Sequence, residues 1–111
     1  MQEDQRKKLM ECVGRTEFPK LTSLSLLDDN YASIVKAFII HVPLQFLKLV
    51  NCILDNGDME GIVVGMQKTL EYLWMENIPI TRYVEENEFV SIVKQSKVKC
   101  IKLISITFIL F

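Results

Sequence analysis

Glycine and proline are scarce in this chain, with four and three among 111 residues. Few breakers of this kind favour long regular elements over loop-rich or fibrous architectures. Cysteine is also sparse. Cys12, Cys52 and Cys100 are far apart and odd in number. They form no CxxC pair and no Cys/His cluster, which excludes the usual zinc-site spacings and a disulfide framework. The expectation is reduced cysteines acting as small buried hydrophobes, in a cytoplasmic or nuclear protein. Residues 1–11 are polar and charged and do not read as a secretory signal. No apolar run approaches the eighteen or so residues that cross a bilayer. The nearest, CIKLISITFILF from Cys100 to Phe111, is shorter and carries Lys102.

Charge of one sign is missing as well. Thirteen Lys and Arg oppose fourteen Asp and Glu, for a net charge of −1. Such a balance exerts no global pull on nucleic acid or an anionic membrane. The charges do cluster locally. Arg6, Lys7 and Lys8 form a basic run, Asp28 and Asp29 an acidic pair, and Glu85, Glu86 and Glu88 an acidic cluster. Lys94, Lys97, Lys99 and Lys102 make the C-terminal part basic. Solvated surface is the simplest reading of all four.

Chemistry-bearing constellations are equally absent from the sequence. The single histidine, His41, falls at the end of an apolar stretch beside Pro43, where it can serve a helix C-terminus. No cysteine is spaced to pair with it. The carboxylate pairs Asp28/Asp29, Asp55/Asp58 and Glu85/Glu86 suit capping and solvation better than acid–base work. Asp55-Asn56-Gly57-Asp58 lacks the alternating oxygen ligands of a calcium loop. Gly57, Gly61 and Gly65 are not followed by the lysine and hydroxyl residue of a phosphate loop. Catalytic, cofactor-binding and metal-ligating residues are therefore expected to be none, with no cofactor. The basic stretches lack interleaved aromatics, so no nucleic-acid partner is expected. Trp74, beside Leu70 and Leu73, reads as core before it reads as an interaction anchor.

Half of the residues are hydrophobic, enough for one folded domain. Residues 2–13 read as a polar helix stopped by Gly14, and 15–23 as a linker. A helix is expected over about 24–41, with Leu27, Tyr31, Ile34, Val35, Phe38 and Ile39 on one face. A second is expected over 44–55, from Leu44, Leu47 and Val50. A tight break at Asp55-Asn56-Gly57-Asp58 lets Asp58 cap a third, running to about Asn77. Gly61 and Gly65, four apart, imply another helix in close contact. Thr81 caps a fourth over about 82–96. Residues 97–111 are β-branched and aromatic, a strand by propensity. A lone strand has no visible partner, so the alternatives are helix by tertiary context or an unpacked tail.

Residues 44–95 resemble the armadillo-repeat family, in particular the C-terminal repeats of importin-alpha, the nuclear import adaptor. The likeness lies in LQFLKLVNCILDNGDMEGIVVGMQKTLEYLW (44–74), in Leu70-Glu71, and in RYVEENEFVSIVKQ (82–95) with its Val84-Glu85-Glu86 and Lys94-Gln95. The resemblance implies an all-α fold, a short stack of helical hairpins in an α-solenoid. It further implies a non-enzymatic protein-interaction module, with a nuclear transport receptor as partner. The family's groove-lining Trp and Asn are four apart, whereas Trp74 and Asn77 are three apart, so no cargo groove is carried over. The expected organisation is an N-terminal helix and linker (1–23), a helical-repeat domain (24–96) and an apolar tail (97–111). A membrane-peripheral or self-associating protein using that tail is the alternative function.

Overall fold

A computed structural model describes residues 4–5, 7–8, 22–28, 34–81 and 85–109. The elements are β1 (Ser23–Leu27), α1 (Ile34–His41), β2 (Phe46–Val50), α2 (Asn56–Lys68), β3 (Tyr72–Glu76), β4 (Pro79–Thr81), α3 (Glu86–Gln95), β5 (Cys100–Ile104) and β6 (Thr107–Ile109). The fold is mixed α/β, not the all-α stack of hairpins expected. Strands β1, β2, β3 and β5 form one parallel sheet in that order, and β4 pairs with β6 in a second, two-stranded parallel sheet.

Each strand of the main sheet lies beside its predecessor, and a helix fills each crossover. Leu24 pairs with Leu47, Leu47 with Leu73 and Leu73 with Ile101, advances of 23, 26 and 28 residues. Parallel neighbours need such crossovers. The chain therefore winds in one direction, with one strand and one helix to each turn.

The winding follows from a recurrent spacing of apolar residues. In one turn Leu44, Leu47, Leu49, Cys52 and Leu54 are buried. In the next, Leu70, Leu73, Met75, Ile78 and Ile80 are buried at the same offsets. Val98, Ile101, Ile106 and Phe108 take those positions in the last described turn and pack against the same core. Strand residues alternate between faces, so Leu47, Leu49, Leu73 and Met75 all point to the helical side. Each such side chain contributes about 1.5–3 kcal/mol on full burial. Helix α2 meets them with Met59, Ile62 and Met66, α1 with Val35 and Phe38, and α3 with Phe89. The ring of Phe89 lies 5.8 Å from that of Phe108.

A second recurrence follows every strand of the main sheet. Asp28, Asn51, Asn77 and Ser105 all have positive φ, between 53 and 57°. Asn and Asp tolerate this left-handed turn better than most residues. Backbone N–H groups of the first three donate to the carbonyls of Val50, Glu76 and Ile104 on the next strand, at 2.9, 2.9 and 2.8 Å. The side chains add a ladder: Asn77 Nδ2 donates to Asn51 Oδ1 at 2.5 Å, and Asn51 Nδ2 to Asp28 Oδ1 at 2.7 Å.

The helix expected over 24–41 is strand β1 followed, from Ile34, by α1. The helix expected over 44–55 is strand β2. The third helix ends at Lys68, and Tyr72–Glu76 is strand β3. The tail's strand does have partners: β5 pairs with β3, and β6 with β4. The armadillo-like hairpin over 44–74 is thus strand, helix, strand. Helix α3 falls within the expected 82–96, but Glu85 rather than Thr81 precedes it. Asp55 is the N-cap of α2, and Asp58 completes a capping box. The expected helix contact at the two glycines is present. A Cβ on Gly61 would lie 3.0 Å from Lys36 Cα of α1, and one on Gly65 3.0 Å from Ile39 Cγ2. Of the helix expected over 2–13, only residues 4, 5, 7 and 8 are described, and they are helical. The linker at 15–23 lies almost wholly outside the described residues.

Candidate binding face of the sheet

The helices bury one face of the main sheet; the alternate side chains make its other face. That face is a register-matched array of three rows. Ser23, Phe46, Tyr72 and Cys100 form the first, Ser25, Lys48, Trp74 and Lys102 the second, and Leu27, Val50, Glu76 and Ile104 the third. All twelve are half-buried or exposed.

Trp74 occupies the middle. Lys48 Nζ lies 4.0 Å and Lys102 Nζ 4.2 Å from its ring centroid. Strand register dictates this, because β2 and β5 set Lys48 and Lys102 directly beside Trp74 on either side. An ammonium over an indole gains about 0.5–1 kcal/mol at an exposed site. Trp74 Nε1 donates to Glu76 Oε1, two residues on along the strand, at 3.3 Å. The Phe46 and Tyr72 rings lie 6.4 Å apart at a 40° tilt, within the range of favourable aromatic pairs. At the start of the strands, Lys99 bonds Glu71 at 3.1 Å. That carboxylate raises the pKa of Lys99 through the hydrogen bond and its charge.

The helical side carries a cleft of about 400 Å³ between α1 and α2, lined by Lys36, Ile39, His41, Glu60, Val64 and Lys68 among others. It contains the single histidine. Among the described residues, no three His, Cys, Asp or Glu side chains come together as a metal site. Of the carboxylate pairs, Asp55 and Asp58 serve the capping box. Asp28 joins the side-chain ladder, while Asp29 lies outside the described residues. Glu85 and Glu86 are exposed at the start of α3. Cys52 is buried within reach of the Leu26 and Val50 carbonyls, and Cys100 is exposed. Cys12 lies outside the described residues. No described helix is long and apolar enough to cross a membrane.

Sequence reasoning placed Trp74 in a helical core; the sheet puts it on the open face instead. In sequence Lys48 carries no signal of its own, and Lys102 reads only as part of a basic tail. The signal that unites them is the alternation around Leu47/Leu49, Leu73/Met75 and Ile101/Leu103, whose intervening residues are Lys48, Trp74 and Lys102. Comparison with protein-family models, curated proteins and solved structures finds no match.

Proposed function

We propose that the chain is a short solenoid of the leucine-rich-repeat type and that it binds a protein partner across the open face of its sheet. The pattern L-x-x-L-x-L-x-x-N/C-x-L, with one strand and one helix to each repeat, marks that architecture. Leu44, Leu47, Leu49, Cys52 and Leu54 match it at every position. The observation that carries the binding role is Trp74 at the centre of the array, with Phe46 and Tyr72 in the adjoining row. Rigid aromatic side chains at the middle of a patch, ringed by polar groups, are the usual anchors of protein interfaces.

The nuclear-transport partner rests on the armadillo resemblance over 44–95, whose hairpin at 44–74 is strand, helix, strand. What carries forward is the binding of a protein. A photoreactive residue in place of Ser25, on the array, should capture a discrete partner, and Trp74→Ala should abolish that capture. The same group in place of Val64, exposed on the helical side, should capture nothing. Equal capture from both positions, or capture that survives Trp74→Ala, would contradict the reading.

A further inference from the structure

Two ammonium groups flank Trp74, and no carboxylate answers either among the described residues. Both stand about 4 Å from one ring centroid. They are therefore at most about 8 Å apart, roughly one Debye length at physiological ionic strength, and each feels the other. The array holds one carboxylate, Glu76, which accepts the indole N–H. The nearby Lys99 is already engaged by Glu71. The face thus presents two ammonium groups against one carboxylate on an apolar platform.

Resting on the partner reading above, we infer that the partner supplies an extended acidic segment whose two carboxylates bridge Lys48 and Lys102. Side chains two apart on an extended segment project to the same side, about 7 Å apart. That spacing fits the reach of the two lysines. Charge-assisted hydrogen bonds are the strong ones, and they become stronger beside a surface that excludes water. Apolar residues flanking the carboxylates would lie over Phe46 and Tyr72 in the adjoining row. A peptide is favoured over a nucleic acid because the array offers only two free cations.

The single tryptophan of the chain is the probe, so the full-length protein needs no label. The titrants are a tryptophan-free peptide with Asp-x-Glu pairs, its Asn-x-Gln counterpart, and an oligothymidylate of equal charge. The acidic peptide should shift Trp74 emission saturably, and the amide counterpart should bind at least about tenfold more weakly. Lys48→Met with Lys102→Met keeps an apolar stem on each side of the ring. With an unchanged circular dichroism spectrum and melting temperature, this variant should also lose at least about tenfold. No saturable response to the acidic peptide, or undiminished binding by the double variant, overturns the inference. Oligothymidylate binding as tightly as the acidic peptide overturns it too, and assigns the face to nucleic acid. Photocapture from Ser25 separates the two levels. Capture without acidic-peptide binding sinks the acidic segment alone, and loss of both sinks the protein-partner reading with it.

Discussion

The carboxylate of Asp58 closes the first turn of its own helix and holds the first turn of another. Its Oδ1 accepts from the Lys36 N–H of α1 at 3.1 Å, and its Oδ2 from the Asp55 N–H at 3.2 Å. The Asp58 N–H donates to Asp55 Oδ1 at 2.6 Å. Asp58 is fully buried, the sole buried charged residue among those described. Asp58→Ala should therefore cost about 2–4 kcal/mol, from two orphaned donors and a broken capping box. Asp58→Asn retains one acceptor and should cost less. Urea unfolding at neutral pH measures both; a loss below about 0.5 kcal/mol for the alanine variant would place this contact outside the stability of the fold.

At Gly61 a Cβ would lie 3.0 Å from the backbone of α1. Because the nearest atom is a backbone carbon, Lys36 Cα, the helices themselves must separate to admit a side chain. Gly61→Val should destabilise by about 1–3 kcal/mol, the usual cost of overpacking. At Gly65 the nearest atom belongs to the Ile39 side chain, which can shift. Ala gains up to about 1 kcal/mol over Gly inside a helix. Gly65→Ala should thus be better tolerated than Gly61→Ala, a difference that paired thermal melts resolve.

Cys52 makes stability depend on alkaline pH. Burial pushes its thiol above the ordinary value of 9.0, and the charge of Asp28 adds to the effect. The unfolded chain releases this proton near 9 and the folded chain only at higher pH. Above that point the folded state binds more protons, so stability falls as pH rises; below it the contribution is intact. Unfolding free energy should therefore decline from about pH 9 upward, and Cys52→Ala should show a shallower decline. At pH 8, iodoacetamide should modify exposed Cys100 well before Cys52, as read by peptide mass mapping.

The parts of the fold legible in sequence are those with a helical period and a strong start signal. Helix α2 announces itself through Asp55-Asn56-Gly57-Asp58, and its contact with α1 through the spacing of Gly61 and Gly65. The β-branched run after Lys97 showed its strand character. Strands β2 and β3 were hidden by an ambiguity of spacing. Leu44 and Leu47 are three apart, as on a helix face, while Leu47 and Leu49 are two apart, as on a strand face. Lys48, Leu49, Met75 and Glu76 are also good helix formers, and five residues give alternation little room to declare itself. Turns of 23, 26 and 28 residues give the repeat no fixed period. Asn51 and Asn77 close adjacent turns and were its best local marker. The site was less legible still, because Lys48, Trp74 and Lys102 meet only once the register of three strands is known.

The most direct test of the account is collisional quenching of the single tryptophan by iodide and by caesium. A Trp74 standing on the open sheet face between Lys48 and Lys102 should be reached by both ions. Measured against free N-acetyltryptophanamide, iodide should gain on caesium, because two ammonium groups beside the ring outweigh the one carboxylate of Glu76. Raising inert salt should shrink that gain, and Lys48→Met with Lys102→Met should remove it. A tryptophan that neither ion reaches, as in a packed helical core, or one whose iodide-to-caesium ratio is no higher than that of the free compound, would contradict the account.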